Sequence, residues 1–575
     1  MSNPNKDEII STPSLPLPSP SPFESAVKAL LSPLHQATTK EELTRSARRR
    51  IKTIGDMRFY WDKIVAAEKQ KAPLPRMIHI TGTKGKGSTA CMCEAILRRH
   101  GFSTGLFTSP HLIDIRERIR WNGRPIHPNI FGSVYWKIRT QLATPTTQQQ
   151  PGERDEDDDL PKLPGYFRML TLMAFYTFCC HLDVDVLIIE VGMGGRYDAT
   201  NFLDDNGKRV CGVTLLDLDH TRILGNTLER IAWEKGGIFA VDKLSKKGTS
   251  PLPHQCYDND AEMETSWKGY LYEKENENEN ENSKFFALDS NTGGVLKVLL
   301  GCARVEGEGG KLQLVDASGS DLRNALKDTS LGLAGDHQYG NATLAVHLCQ
   351  AVVQDVKGIQ LESPLTLEAL STASWPGRCQ TVERHPFTFR LDGAHTPQSM
   401  GATMEWFRSK IQKSATSATT TKPRVLVFTC SHERDPVELF QLIAPSRFTT
   451  VYFAKTDSSR PSPMSPPSAT DLLHNHSIPV RPELLVSAQS NKATWQESLA
   501  SVWNHMNPNT NDKDSTCIVR CNITAATVLT ELSTSMSAKG DGPLEVLVTG
   551  SLYLVGSFLT AIDWNEESSP DALDL

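Results

Sequence analysis

The sequence has no apolar run long enough to cross a lipid bilayer. A membrane-spanning helix needs about 20 consecutive apolar residues, and the most apolar stretch, from Met169 to Val191, is interrupted by His181 and by the acidic side chains Asp183, Asp185 and Glu190. The first 22 residues contain neither an arginine nor an apolar core, so they match neither a secretory signal nor a transit peptide. We therefore expect a cytoplasmic protein without a membrane span, and a mitochondrial form made from another start site stays open.

The chain also lacks an excess of charge and a metal-binding cysteine pattern. Its 61 basic and 67 acidic side chains give a net charge of −6, which favours no nucleic-acid partner. Its 12 cysteines are scattered through apolar segments, and no second pair at zinc-ligand spacing accompanies Cys91 and Cys93. This distribution indicates buried thiols in a reducing compartment.

The organisation of the chain is that of a protein with several domains. Its 575 residues suffice for two to four domains. Residues 1–22 are rich in Ser and Pro and predict a disordered tail, and low-complexity stretches near 144–162 and 243–283 predict inserted surface loops. The segment Trp375-Pro-Gly-Arg378 predicts a hinge, because Pro-Gly stops regular structure. We expect one domain at 23–374 and a smaller one at 375–575.

Helical and strand patterns alternate along both of these domains. Such alternation predicts a doubly wound α/β fold, and near-continuously apolar strands indicate parallel pairing. The helical segments are Phe23–Val65, Thr89–Arg99, Tyr166–Leu182 and His337–Gln354. The predicted strands are Met77–Thr81, Gly105–Thr108, Val184–Val191, Val210–Leu216, Phe387–Leu391, Val425–Thr429, Thr450–Ala454 and Leu544–Thr549.

A loop rich in glycine and lysine lies between the first predicted strand and the helix after it. The order of strand, loop and helix is typical of phosphate-binding loops, because glycines let backbone N–H groups point inward beside the positive end of the helix. In a common loop of this kind the lysine directly precedes Ser or Thr, whereas here Gly87 separates Lys86 from Ser88. A glycine-rich turn without a ligand is the alternative, but it does not explain two lysines among three glycines. The loop residues are Gly82, Thr83, Lys84, Gly85, Lys86, Gly87 and Ser88.

Two polar residues of the first domain follow predicted strands. Glu190 ends a buried strand, and ligands bind at this edge of an open α/β sheet. A carboxylate there could hold Mg²⁺ beside a phosphate loop, or it could cap a neighbouring helix. His220 follows the next strand and by itself predicts a hydrogen-bonded structural histidine.

Two further signals are weak when each is taken alone. Lys235 lies near the end of a predicted helix, where a solvated lysine or one that pairs with the helix dipole is the plain interpretation. Asp392 and His395 follow the strand Phe387–Leu391. A turn of this kind could present both side chains to a nucleotide across a cleft between the domains.

Together these segments resemble the folylpolyglutamate synthase family of the Mur ligase superfamily, and its eukaryotic form in particular. The resemblance implies an N-terminal Mur-ligase-like P-loop ATPase domain and a smaller C-terminal Rossmann-like α/β domain. It covers roughly residues 77–400 and the ending at 548–556. The matching segments are Thr81–Ser88, Thr108–Leu112, Arg116–Ile119, Tyr166–Arg168, Glu190–Gly195, Asp219–His220, Ile231–Gly237, Gly335–Ala342, Trp375–Arg378, Asp392–His395 and Val548–Gly556.

The resemblance also implies roles for single residues. P-loop reasoning alone would put Mg²⁺ on Ser88, whereas the resemblance implies a magnesium ligand at Ser109, with Glu190 and His220 as further ligands. It implies that Lys235 is carbamylated and helps to bind a second metal ion. Lys86, His220 and Lys235 are then the expected catalytic residues. The expected ATP contacts are the loop Gly82–Ser88 together with Asn341, Arg378, Asp392 and His395. A monovalent cation such as K⁺ is a further expected cofactor.

The activity that the resemblance implies is an ATP-dependent ligation. L-glutamate is added to the γ-carboxylate of tetrahydrofolate or its polyglutamates through an acyl phosphate, which retains folates in the cell for one-carbon metabolism. We expect a monomer. Dihydrofolate synthase, which adds the first glutamate to dihydropteroate, is the alternative in the same class, although Tyr166-Phe-Arg168 resembles the polyglutamylating form. A nucleotide-dependent switch and a small-molecule kinase are alternatives from other classes. The segment Ser431–Asp435 fits the family only loosely, which leaves the glutamate site open.

Overall fold

The computed structural model describes most of the chain. The predicted tail, apart from its last two residues, and both predicted insertions, apart from Thr144, lie outside the described residues. The described residues are 21–32, 50–66, 68, 74–144, 163–203, 209–240, 284–291, 293–306, 310–326, 329–414, 423–456, 466–486, 493–507, 517–537 and 544–566.

The first of two sheets has eight strands in the order β4-β3-β2-β5-β1-β6-β7-β8. The strands from β2 to β8 in this order are parallel to one another, whereas β3 and β4 add an antiparallel edge. These strands are β1 Arg76–Thr81, β2 Thr104–Phe107, β3 Ile119–Trp121, β4 Arg124–Pro125, β5 Val186–Glu190, β6 Arg209–Val213, β7 Phe285–Leu288 and β8 Leu312–Val315.

The second sheet has six strands in the order β13-β12-β11-β14-β10-β9. All neighbours in it are parallel except β9, which pairs antiparallel with β10. Its strands are β9 Gln380–Arg384, β10 Phe387–Leu391, β11 Arg424–Phe428, β12 Thr450–Ala454, β13 Ile518–Ile523 and β14 Leu544–Thr549.

Helices connect the strands and cover both sheets. The predicted helix that begins at Tyr166 is α-helical to Tyr176 and continues as a π-helical turn over Thr177–His181. The helices are α1 Pro22–Leu31, α2 Thr53–Val65, α3 Lys86–Arg99, α4 Pro128–Ala143, α5 Tyr166–Tyr176, α6 Thr221–Leu224, α7 Leu228–Gly236, α8 Gly293–Glu306, α9 Ser320–Ala325, α10 His337–Lys357, α11 Ser363–Thr372, α12 Pro397–Ser414, α13 Pro436–Ile443, α14 Ala469–Asn475, α15 Trp495–Met506, α16 Ala525–Ser537 and α17 Leu552–Ala561.

The predicted α/β fold is confirmed, and all eight predicted strands are present within three residues of their expected ends. Six strands were not predicted: β3, β4, β7, β8, β9 and β13. Most of them are short or half-exposed, since β4 has two residues and β8 exposes both of its central side chains. The predicted domain boundary near 375 stays a prediction. Trp375 lies in the chain between α11, which packs under the first sheet, and β9, which opens the second.

The core of the first sheet places the phosphate-loop helix inside the protein. One face of the sheet packs against α2, α4 and α5, and the other packs against α3, α10 and α11. Helix α3 is buried from Ser88 to Leu97 because α10 and α11 cover it. The loop before α3 is therefore held by elements on both sides. Within the described residues, no helix combines the length and the apolar character that crossing a membrane requires.

Candidate active site

Two glycines give the loop between β1 and α3 its shape. Gly82 and Gly85 have positive φ angles of 150° and 87°. A Cβ atom would lie 1.8 Å from the Thr214 hydroxyl at Gly82, and 2.3 Å from the Asn341 side-chain oxygen at Gly85. Only glycine fits these two positions without a shift of the backbone. The N-terminal N–H groups of α3 then remain available to an anion.

The loop is fastened to the segment that follows β6 and to helix α10. The Thr83 N–H donates to the Leu215 carbonyl oxygen at 2.9 Å, and the Thr83 hydroxyl donates to the Asp217 carbonyl oxygen at 3.0 Å. On the other side, the Gln338 amide donates to the Ser88 hydroxyl at 3.4 Å and accepts from the Asn341 amide at 2.9 Å. Asn341 thus packs against the loop at Gly85 and supports it through Gln338.

Both lysines of the loop, Lys84 and Lys86, line a cavity between the two sheets. The Lys86 ammonium is 3.4 Å from the Thr83 carbonyl oxygen, so it folds back over its own loop. Burial lowers the pKa of Lys84 to about 8, although Asp219 opposes this shift. Two cations therefore converge where the helix N-terminus also attracts anions.

Glu190 and Ser109, two of the expected magnesium ligands, are in contact. Glu190 is the last residue of β5, and its carboxylate accepts a hydrogen bond of 3.0 Å from the Ser109 N–H. Burial raises the pKa of Glu190, while the positive charge of Lys86 acts against this rise. The carboxylate lies close to the phosphate loop, since a Cβ atom on Gly87 would be 3.5 Å from it.

Lys235 is buried, and the interpretation of it as a solvated lysine is wrong. It lies near the end of α7, as predicted, but only 4% of its surface is exposed. Its ammonium donates a hydrogen bond of 2.8 Å to the Gly82 carbonyl oxygen. Burial lowers the pKa of Lys235 to about 7, and the positive charge of Lys86 acts in the same direction.

Asp219 and His220 lie in the segment between β6 and α6. The strand ends at Val213, earlier than the sequence predicted, and His220 adopts a positive φ of 50° at the start of α6. Asp219 accepts a hydrogen bond of 2.8 Å from Arg434, which follows β11 of the second sheet. Burial acts to raise the pKa of Asp219, but the charges of His220 and Arg434 hold it well below its usual range. The loop after β11 therefore contacts the segment after β6 beside His220.

The turn after β10 is held together by Asp392. The Asp392 carboxylate accepts hydrogen bonds from the N–H groups of Cys379 at 2.8 Å and Ala394 at 2.9 Å, and from the Thr403 hydroxyl at 2.8 Å. His395 donates from Nδ1 to the Gly393 carbonyl oxygen at 2.8 Å. Burial lowers the pKa of His395 to about 4, so the ring is neutral at neutral pH. Sequence reasoning missed the structural role of Asp392.

A cavity of about 1330 Å³ lies between the carboxyl edges of the two sheets. It brings together most of the predicted site residues. Of the predicted residues, Gly82, Asn341 and Lys235 lie behind its wall. Those that line it are Thr83, Lys84, Gly85, Lys86, Gly87, Ser88, Ser109, Glu190, His220, Arg378, Asp392 and His395.

One part of the cavity wall was not predicted as part of the site. It combines arginine and aromatic side chains: Arg50, Tyr166, Phe167, Arg168 and Tyr197. The Arg50 guanidinium lies 5.3 Å from the centre of the Tyr197 ring, and Arg168 donates to Asp56 at 2.7 Å. The segment Tyr166–Arg168 at the start of α5 was the sequence signal for this wall.

The Glu190 carboxylate, with Ser109 beside it, offers an oxygen ligand of the kind that Mg²⁺ takes together with phosphate. In the part of the chain that the structure describes, no group of three or more His, Cys, Asp or Glu side chains could hold a metal ion. Mg²⁺ is usually held by one or two carboxylates, substrate phosphates and water rather than by a cage of protein ligands. A single carboxylate beside a phosphate loop satisfies this requirement.

Comparisons of the sequence with known proteins find relatives of one kind. No protein-family model matches the chain. It is 34% identical to mitochondrial folylpolyglutamate synthase of Bos taurus over 399 residues, which covers 66% of this chain and 58% of the bovine protein. It is 30% identical to a putative folylpolyglutamate synthase of Caenorhabditis elegans over 553 residues, which covers 93% of this chain and 92% of the nematode protein. The match therefore spans less than two thirds of the bovine protein.

Solved structures show the same fold. Mycobacterium tuberculosis folylpolyglutamate synthase complexed with ADP superposes with a TM-score of 0.60 at 21% identity, over 95% of this chain and 99% of that one. E. coli FolC in complex with DHPP and ADP superposes with a TM-score of 0.55 at 21% identity, over 94% of this chain and 98% of that one.

Proposed function

The chain belongs to the folylpolyglutamate synthase family, and we propose that it adds L-glutamate to the γ-carboxylate of tetrahydrofolate and its polyglutamates with consumption of ATP. One observation carries this proposal: a single cavity is lined by the phosphate loop, by Glu190 and Ser109, and by the turn at Asp392–His395 of the second sheet. Such a cavity has room for a nucleotide, an acceptor carboxylate and an incoming amine.

The reaction has two steps. A folate γ-carboxylate oxygen attacks the γ-phosphorus of ATP, the bond to the bridging oxygen breaks, and ADP leaves with the electron pair. The amine nitrogen of L-glutamate then attacks the acyl carbon, loses a proton, and displaces inorganic phosphate as the amide forms. Phosphorylation is required because a carboxylate carries no adequate leaving group. The task of the protein is to position the reactants and neutralise charge.

We assign charge neutralisation to the phosphate loop and its neighbours. The N–H groups at the start of α3 and the Lys86 ammonium would bind the β- and γ-phosphate oxygens. Arg378, in the segment before β9, lines the same cavity and would bind ATP together with Asp392 and His395. Asn341 would act through Gly85, under which its side chain lies.

Ser109, Glu190 and His220 are the residues that we propose hold Mg²⁺. When bound, Mg²⁺ supplies positive charge that offsets the charge of the phosphate oxygens. Lys235, as a carbamate, would help to hold a second ion, and a monovalent cation such as K⁺ is a further proposed cofactor. The lowered pKa of Lys235 supports this role, because only a neutral amine reacts with CO₂.

The wall with Arg50, Tyr166 and Arg168 suits an aromatic, acidic acceptor. Its rings can stack on a flat heterocycle, and its guanidinium groups complement carboxylates. The E. coli FolC structure is a complex with DHPP as well as ADP. Dihydropteroate, the acceptor of the alternative dihydrofolate synthase activity, is the second acceptor that we propose to test.

An ADP-release assay tests the proposal. The full chain is incubated with ATP, Mg²⁺ and tetrahydrofolate, with and without L-glutamate, and the folate product is analysed by mass. We expect glutamate-dependent ADP release and the addition of one glutamyl unit per step. Activity with dihydropteroate alone would indicate dihydrofolate synthase instead. A stable phosphorylated product without glutamate would indicate a kinase, and ATP binding without turnover would indicate a switch.

We further propose a division of the chain near residue 375, a monomeric state and a cytoplasmic location with an additional mitochondrial form. The mammalian relatives are named as mitochondrial proteins, which supports the last point. Light scattering tests the monomer, and cell fractionation of a tagged chain tests both locations.

A further inference from the structure

The segment Val548–Gly556 matches the family, yet neither Leu552 nor Gly556 in it has a chemical role in the proposed reaction. It comprises the end of β14, a turn at Gly550 with a φ of 97°, and the first half of α17. Leu552 and Gly556 are four residues apart in α17, so they lie on the same face of the helix, one turn apart. Leu552 lies against Gly393 in the cavity wall, and Gly556 lies against Leu112 in the loop that follows Ser109.

Leu552 contacts the turn that carries Asp392 and His395. A Cβ atom on Gly393 would lie 2.3 Å from the Leu552 side chain, so the turn rests directly on this leucine. The Gly393 N–H also donates to the Gly377 carbonyl oxygen at 3.2 Å, which connects the turn to the segment at Trp375–Arg378. Helix α17 thus supports the turn at Asp392–His395, which follows β10 of the second sheet.

Gly556 contacts the loop that carries Ser109. A Cβ atom on Gly556 would lie 2.2 Å from the Leu112 carbonyl oxygen, so the backbone of Leu112 approaches the helix where no side chain stands. The Leu112 side chain packs against Gly377 and Val555 of the second domain. Glycine is the least favoured residue in a helix interior after proline. The close approach of Leu112 accounts for its presence in α17.

The loop from Ser109 to Asp114 is held by hydrogen bonds at both ends, so the contact between Leu112 and Gly556 affects the position of Ser109. The Glu117 carboxylate accepts from three successive N–H groups, those of Leu112 at 2.8 Å, Ile113 at 2.9 Å and Asp114 at 2.7 Å. At the other end, the Ser109 N–H donates to Glu190. A shift of Leu112 would therefore move Ser109 relative to Glu190.

We propose that helix α17 is a positioning element that sets the Ser109–Glu190 half of the site against the Asp392–His395 half. Leu552 and Gly556 are positioning residues in this proposal, since they act through the turn and the loop. The proposal rests on the proposed function for its kinetic consequence, but the placement of the loop can be measured without activity. In this proposal the contact between Gly556 and Leu112 both aligns the two domains and places Ser109.

The test compares Gly556→Ala with Gly401→Ala in the full chain. Both glycines lie in helices of the second domain, but a Cβ atom on Gly401 would meet nothing within 4 Å. We expect Gly556→Ala to lower kcat by about 100-fold, as a misplaced reacting group does, and to change the Kd for ADP by less than about threefold. Hydrogen exchange at 109–114 should rise about 10-fold. Gly401→Ala should change none of these.

Unchanged kcat and unchanged exchange at 109–114 in folded Gly556→Ala would overturn the proposal. If this variant does not fold, Leu112→Ala decides, because it removes the side chain whose packing at Gly377 and Val555 holds the Leu112 backbone against α17. It should raise exchange at 109–114 while the ADP affinity stays within about threefold of the wild-type value. Wild-type exchange in Leu112→Ala would overturn the proposal. Wild-type chain that releases no ADP with folate and glutamate would contradict the proposed function instead, and the exchange results would still stand.

Discussion

The Lys235 ammonium donates a hydrogen bond of 2.8 Å to the Gly82 carbonyl oxygen, across 153 residues of chain. This contact joins α7 to the first residue of the phosphate loop. It also buries a lysine whose pKa falls to about 7, next to the second cation Lys86. A buried lysine with a lowered pKa is a common feature of functional sites.

Lys235 should form a carbamate in bicarbonate. Its amine is partly neutral at neutral pH because burial lowers its pKa to about 7, and a neutral amine adds to CO₂. We expect the intact mass to rise by that of one CO₂ and a labelled carbonyl signal to form with isotopically labelled bicarbonate. Lys235→Met should show neither change. A signal of equal size in that variant would contradict the assignment.

Lys86→Ala should abolish turnover and leave the fold intact. In the proposed mechanism Lys86 binds the transferred phosphate, and loss of one such charge lowers the rate by about 100-fold or more. The measurements are ADP release and the midpoint of thermal unfolding. Lys28→Ala, an exposed lysine in α1, is the control and should keep full activity. Near-wild-type turnover in Lys86→Ala would remove the phosphate loop from the mechanism.

Gly85→Ala should weaken ADP binding by about 10-fold or more, because backbone N–H groups cradle the phosphates only in the left-handed turn. The new methyl group would also lie 2.3 Å from the Asn341 side-chain oxygen. Calorimetry with ADP measures the effect. In Gly55→Ala, a control in α2, the methyl group meets nothing within 4 Å and affinity should be unchanged. Equal affinities of the two variants would disagree with this account of the loop.

His395 should make the protein less stable in mild acid. Its folded pKa of about 4 lies below the ordinary histidine value, so the unfolded state binds the extra proton as the pH falls. Its contribution to stability is present above the unfolded pKa and is lost as the pH falls through the folded pKa. Because part of the ring is exposed, we expect a loss of about 1 kcal/mol between pH 7 and 5 that His395→Gln abolishes.

Urea unfolding of the wild type and of His395→Gln, at pH 7 and at pH 5, measures that loss of stability. The exposed His474, in α14, provides the control, and His474→Gln should keep the full acid sensitivity of the wild type. If His395→Gln loses as much stability as the wild type, then His395 is not the responsible group.

Glu545→Gln should destabilise the second sheet. Glu545 on β14 pairs with Arg390 on β10 at 3.1 Å, and both side chains are less than a tenth exposed. Removing one partner leaves a buried charge without compensation, which costs about 3 kcal/mol. Denaturant unfolding measures this loss. Glu368→Gln breaks an ion pair with Arg99 in which each side chain is 49% exposed, and it should cost less than about 1 kcal/mol. Similar losses would contradict the buried-charge argument.

Much of the fold and part of the site could be predicted because their signals are local. The strand β5, for example, is apolar up to its last residue, as buried parallel strands are. The loop at Gly82–Ser88 carries its own strand and helix on either side. Strands such as β8 and β13 escaped prediction because they are half-exposed and their side chains do not follow a clear pattern.

The sequence by itself determined where the chain turns, which segments are apolar and where a glycine-rich loop joins a strand to a helix, since these properties depend on neighbours along the chain. Only the tertiary structure decided that Lys235 is buried under Gly82, that Arg434 pairs with Asp219 and that Leu112 rests on Gly556. These contacts join residues more than a hundred positions apart. The energy of each contact depends on the burial of the two residues and on the distance between them. Both quantities are set only when the distant segments have folded against each other.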